Sequence, residues 1–94
     1  MSFTQQTATE KAKSDLAKRL KINLSDVEVS TVSDVEFPNG SLGSPTAGEM
    51  SMQMISSGWK IILKAVGSSF EYRADKYQLR LHSFKGKNYL VESF

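Results

Sequence analysis

Trp59-Lys60-Ile61-Ile62-Leu63-Lys64-Ala65-Val66-Gly67-Ser68-Ser69-Phe70-Glu71-Tyr72-Arg73-Ala74 is the stretch that decides the fold class. Trp59, Ile61, Leu63 and Ala65 alternate with Lys60, Ile62, Lys64 and Val66, the period-two pattern of a strand with one buried face. Gly67-Ser68, with glycine first, has the form of a two-residue type II′ hairpin loop. That turn pairs Ala65 with Phe70, Leu63 with Tyr72 and Ile61 with Ala74 on the inward face, and sets Lys64 opposite Glu71 outside. A second tight turn at Asp75-Lys76 sets Tyr72 opposite Leu79, Phe70 opposite Leu81 and Glu71 opposite Arg80. A slip of one residue would turn every apolar side chain outward, so the pattern specifies an antiparallel meander. Lys85-Gly86-Lys87-Asn88 forms a further turn that returns Tyr89-Leu90-Val91 as a fourth strand or a C-terminal flap.

Upstream, the period changes. Ala8, Ala12, Leu16 and Leu20 recur every four residues with Ala17 beside them, a narrow helical stripe flanked by lysines. Thr7-Ala8-Thr9-Glu10 has the spacing of a capping box, which starts the helix at Thr7 and runs it to about Lys21. A helix so short and one-sided must dock to be stable, and the stripe Ala12, Leu16 and Leu20 is expected on Ile61, Leu63, Phe70, Tyr72 and Leu79. After an exit turn at Ile22–Asp26, Val27, Val29 and Thr31, then Val32, Val35 and Phe37, read as a strand with a bulge near Ser33-Asp34. The expectation is a single α+β domain over 1–94, an N-terminal helix packed on a four- or five-stranded antiparallel meander, with 1–6 a disordered N-terminal tail.

Ninety-four residues support one modest core, with which a buried cofactor pocket would compete for volume. The absence of cysteine excludes disulfides, thiolate metal sites and thiol nucleophiles. The first residues lack the basic and apolar regions of a signal peptide, and no apolar run is long enough to span a bilayer, so the expectation is a soluble, cytoplasmic chain. Charge is segregated: residues 1–21 carry +3, residues 22–57 carry −5 with no base, and residues 58–94 carry +4. Opposite segments of this kind attract one another across a fold or present a charged face to a partner.

Between the first strand and the meander lies Phe37-Pro38-Asn39-Gly40-Ser41-Leu42-Gly43-Ser44-Pro45-Thr46-Ala47-Gly48. Its prolines and glycines forbid a helix or ordinary strand and make it a shaped loop. Phe37 and Leu42 are expected to tuck into the core margin and pin it, leaving Asn39, Gly40, Ser41 and Thr46 as a rigid polar contact surface. Met50, Met52 and Met54 alternate, which in a strand puts three thioethers on one side, either as filling between sheet and helix or as an adaptable contact face.

These residues resemble a bacterial family of small domains with a Trp-Pro-Asp-Ser-Ser-Leu-Gly-Cys-Pro-type loop, a Pro-Gly-Tyr-Arg-Ile strand opening and a Tyr-x-Tyr-His/Arg-Thr-Asp hairpin. The matching positions are Pro38-Asn39, Ser41-Leu42-Gly43, Pro45 and Gly48, then Gly58-Trp59-Lys60-Ile61, Phe70–Asp75 and Leu79-Arg80-Leu81. The family's loop cysteine is Ser44 here, its loop tryptophan is Phe37, and its cysteine after the last strand has no counterpart near His82. Loss of both cysteines together is the expected outcome if they pair in relatives, and fits a reducing compartment. The family has no assigned activity, so the resemblance implies a fold and leaves function open. The layout is also similar to cystatin-like modules that accompany secreted proteases, a likeness of fold alone.

No catalytic constellation emerges. His82, the one histidine, falls on the outward side of its strand beside Ser83 and across from Ser69, without a carboxylate to orient the ring or further ligands for a metal. Lys60, Lys64, Arg73 and Arg80 make the outer face basic, but Trp59, Phe70, Tyr72 and Tyr77 are assigned to the inward face, whereas RNA-reading sheets expose their aromatics. The loop lacks the Lys-Ser/Thr of a phosphate cradle, and Asp34, Glu36 and Glu49 match no calcium-loop spacing. The resulting expectation is a non-enzymatic protein-interaction module, monomer or weak dimer, without cofactor or metal, that uses the 37–49 loop and contacts an unknown protein partner through Asn39, Gly40, Ser41, Thr46, Met50 and Met52. Nucleic-acid binding through the basic face and a protease-inhibitor-like role are the alternatives.

Overall fold

The computed structural model describes residues 2–94. One helix, α1 (Gln5–Leu20), leads through a 3-10 turn (Leu24–Asp26) into β1 (Glu28–Phe37), β2 (Ser56–Ala65), β3 (Ser68–Ala74), β4 (Gln78–Phe84) and β5 (Lys87–Ser93). The strands form one antiparallel sheet in the order β1-β2-β3-β4-β5, so each pairs with its neighbour in sequence. The α+β meander read from the sequence is therefore the fold, with five strands.

Helix α1 starts two residues before the expected Thr7. Thr4 is the cap: its hydroxyl accepts from the Thr7 amide at 3.1 Å while the Thr7 hydroxyl accepts from the Thr4 amide at 2.8 Å. For residues 3–6 the expected tail over 1–6 is corrected with it, while Met1 lies outside the described residues. Phe3 is buried, its amide donates to the Lys76 carbonyl at 2.7 Å and its ring lies 4.9 Å from that of Phe94. At the other end Lys21 takes a left-handed conformation and the Ile22 amide reaches back to Ala17, closing the helix.

Ala8, Ala12, Leu16 and Ala17 from α1 pack with Ile61, Leu63, Tyr72, Leu79 and Leu81, and Leu20 and Phe70 flank them, so the helical stripe docks where it was expected. The buried Tyr72 hydroxyl donates to Asp15 at 2.8 Å, and Arg19 pairs with the same carboxylate at 2.7 Å. Burial, then the hydrogen bond to Asp15 and that carboxylate's charge, push the Tyr72 phenol up from its ordinary value.

Two registers differ from the expected ones by two residues. Leu63 faces Phe70 and Ile61 faces Tyr72, and the turn is Val66-Gly67, both with positive φ (46° and 75°), the form of a type I′ turn. Across the next hairpin Tyr72 faces Leu81 and Arg73 faces Arg80, with Asp75 accepting from the Tyr77 and Gln78 amides to shape the turn. A shift of two preserves which side chains point inward, which is why alternation alone does not detect it. The expected cross-strand ladder of Lys64, Glu71 and Arg80 is thereby replaced: Lys64 faces Ser69, and Glu71 faces His82. The β1 irregularity lies between Val29 and Thr31 rather than at Ser33-Asp34.

Gly58 sits on β2 against the end of β3. A Cβ there would stand 2.0 Å from the Ala74 carbonyl oxygen, so only glycine fits without moving that strand.

Candidate functional site

The connection from β1 to β2 lies over the face of the sheet opposite the helix. Its first half is fastened to side chains of β3, β4 and β5. Gln78 donates to the Gly40 carbonyl at 2.7 Å, Arg73 to that of Leu42 at 3.0 Å, Arg80 to that of Ser44 at 3.1 Å and Asn88 to that of Pro45 at 2.9 Å. Backbone carbonyls with no ladder partner are thus satisfied by side chains of the sheet.

Arg80 is the central fastening. Only 3% exposed, it makes a two-pronged pair with Glu49, both contacts 2.6 Å, and its Nε donates to Gln78. Glu49 also accepts from the Thr46 amide and hydroxyl. The Arg80 hydrogen bond is the chief reason that the Glu49 carboxyl is held down at about 2, against the smaller opposing effect of burial. Ser44, fully buried, shares a hydrogen bond with His82 Nδ1 at 2.8 Å. Burial, and then Arg73, lower the pKa of His82, while Glu71 opposes them and Lys60 adds to the lowering.

Phe37 and Leu42 are both buried, as expected, but on this polar face rather than against the helical core. Leu42 is 0% exposed with φ of 58°, a strained conformation for a leucine that its burial and the Arg73 contact maintain. The candidate contact residues of the loop are largely engaged within the molecule. Asn39 accepts from the Ser41 amide and hydroxyl and the Gly43 amide, Ser41 is buried against Ser51, and Gly40 exchanges bonds with Met52 and Gln78. Thr46 is bound to Glu49. Ser41 is therefore corrected from a contact residue to a buried one.

The second half of the connection contrasts with the first. Residues 50–55 form no strand, so the expected methionine strand is corrected: Met50 is 95% exposed, Met52 69% and Ile55 67%, with Met54 also exposed. None fills the space between sheet and helix. Met52 is nevertheless held, since its carbonyl accepts from the Gly40 amide at 2.9 Å. Met52, Met54 and Ile55 border an open groove of about 860 Å³ at the end of the sheet where β1 finishes and β2 begins. Trp59, Tyr77, Asp34 and Glu36 line it as well. Sequence reasoning missed this groove because its walls come from segments far apart in the chain; Tyr77, assigned to the inward face, is exposed in the β3–β4 turn.

Among the described residues no three histidine or carboxylate side chains come together to hold a metal ion. No helix there is long and apolar enough to cross a membrane. The basic face is reduced too: Arg73 is paired with Glu71 and Arg80 with Glu49, leaving Lys60 and Lys64 of the four cations assigned to it without a salt bridge.

The sequence model of the family described as "Domain of unknown function (DUF8738)" matches residues 9–82, from α1 into β4. The chain belongs to that family. No curated protein and no solved structure matches it.

Proposed function

As a member of that family the chain is, we propose, a non-enzymatic protein-interaction module whose contact surface is the methionine segment, residues 50–55, and the groove beside it. The observation that carries this is the exposure of Met50, Met52, Met54 and Ile55 in one short stretch of a chain whose other long apolar side chains mostly pack inward. A cluster of large apolar groups in water is unusual for a monomer and marks binding surfaces. Methionine side chains adapt to irregular partners. Fastening of the preceding residues through Glu49, Ser44 and Gly40 reduces the ordering cost of using the segment.

If the two cysteines pair in the small bacterial domains that the loop resembles, the Ser44–His82 hydrogen bond is consistent with that pairing. The position of the family's loop cysteine contacts the end of β4, the region of the second. A nucleic-acid partner is disfavoured by the pairing of Arg73 and Arg80 and by the burial of Tyr72.

A photo-reactive benzoylphenylalanine placed at Met52, with one at the equally exposed Val66 as control, tests the reading in cells that make the protein. A discrete adduct from position 52 alone, lost when Met54→Lys and Ile55→Lys are added, is expected. Equal labelling from both positions would remove it.

A further inference from the structure

The edge beside the groove narrows the chemistry of the partner, an inference that rests on the interaction reading above. Residues 31–37 of β1 pair in unbroken register with residues 62–56 of β2. Among the described residues no strand lies on their other side. Such an edge presents backbone donors and acceptors to any extended chain laid along it.

The side chains of this edge choose the occupant. Asp34 and Glu36 lie on the helix-side face, Asp34 directly across from Trp59 and Glu36 across from Ser57. With Asp75 they line the groove against one cation, Lys76, and no lysine or arginine occurs from residue 22 to residue 57. A second copy of β1 laid antiparallel on the first would bring carboxylates toward carboxylates, which destabilises cross-strand pairing. A chain with lysine or arginine at alternate positions places cations opposite Asp34 and Glu36 instead.

We propose that the β1 edge takes up, by strand addition, an extended cationic segment of a partner protein, with a bulky apolar residue at its end seated against Met52, Met54 and Ile55. Backbone pairing supplies adhesion, the alternating cations fix register and orientation, and the groove reads the terminal apolar group.

Fluorescence anisotropy on the intact chain tests this with a labelled peptide of alternating lysine and threonine ending in two leucines. Its glutamate-for-lysine counterpart and a copy N-methylated at alternate residues serve as comparisons. The lysine peptide should bind saturably and more weakly as salt rises, and the glutamate peptide should not bind. Asp34→Lys with Glu36→Lys should weaken binding about tenfold or more, since two attractive cross-strand pairs become repulsive. The N-methylated copy should lose binding to the unaltered protein, a readout independent of how the double variant folds. Equal binding of the lysine and glutamate peptides, or full binding of the N-methylated copy, would overturn strand addition. Absence of peptide binding alongside a Met52 adduct in cells overturns this inference and leaves the interaction reading standing. A binding peptide without that adduct removes the methionine surface instead.

Discussion

The two faces of the sheet are closed by different physics. Over one, α1 lays Ala12, Leu16 and Ala17 on Ile61, Leu63, Tyr72 and Leu79, a seal of hydrocarbon. Over the other, a loop is tied down by Arg80, Glu49, Arg73, Ser44 and His82, with Phe37 and Leu42 as its buried apolar anchors. An apolar seal is non-directional and degrades in proportion to what is removed. A polar seal depends on complete pairing, because one missing partner strands a desolvated group.

The largest expected effect tests the apolar side. Leu16→Ala should cost about 2 to 5 kcal/mol from lost transfer energy and a cavity, read from the urea midpoint. A loss smaller than that of any polar-face variant would break the comparison.

Next comes the Arg80–Glu49 pair. Glu49→Gln should cost about 3 kcal/mol, because Arg80 remains charged and buried without its partner. Adding Arg80→Met should recover part of that loss, whereas a further fall would show that the arginine is held mainly by its packing. The pair also sets an acid limit. The Glu49 carboxyl sits at about 2 when folded against an ordinary 4.5, so its contribution is complete above pH 4.5 and disappears as pH falls from there toward 2. Glu49→Gln should flatten that part of the stability curve.

How much of this was legible in the sequence follows the same division. Leu63, Tyr72 and Leu79 announce their face by alternation, and Ala8, Ala12 and Leu16 by helical spacing, because hydrocarbon burial imposes a period. Register was not fixed by that period, since a glycine at 67 suits the first position of one turn type and the second of another. The helix start was hidden because Thr4 and Thr7 both make plausible caps, and the buried Phe3 that accompanies the earlier one carries no period. On the polar face Arg80 looks like any solvated strand residue. Its role becomes visible only when Ser44 and Glu49, more than thirty residues away, fold onto it. The methionine alternation imitated a strand, yet among the described residues no neighbouring strand supplies a ladder for it.

Smaller effects sharpen the polar side. Ser44→Ala should cost about 1 kcal/mol by removing the bond to His82. Because the folded His82 pKa lies below the ordinary 6.5, neutral imidazole is favoured in the fold. Stability should be complete above pH 6.5 and decline as pH falls from there through the folded value, and His82→Gln should remove that decline in a thermal melt series. The smallest effect is expected outside both seals: Met52→Lys with Ile55→Lys should change stability by no more than about 0.5 kcal/mol, since both side chains already stand in water. A larger loss in calorimetry would make the methionine segment part of the fold rather than a surface on it.

The meander order has a consequence in time. From β2 to β5 each strand pairs with the next across a short turn, so these hairpins can close first, whereas β1 joins β2 only across residues 38–55. The ties across the polar face join residues 31 to 43 apart and need a larger closure of chain. They are therefore expected to form after the β2–β5 hairpins that receive them. Contacts made late on the path barely alter how quickly the native state is reached, but they slow its loss. Removing the Arg80–Glu49 pair is thus expected to shorten the lifetime of the folded molecule, and changes in the β2–β3–β4 hairpins to delay its arrival, both read from stopped-flow unfolding and refolding rates.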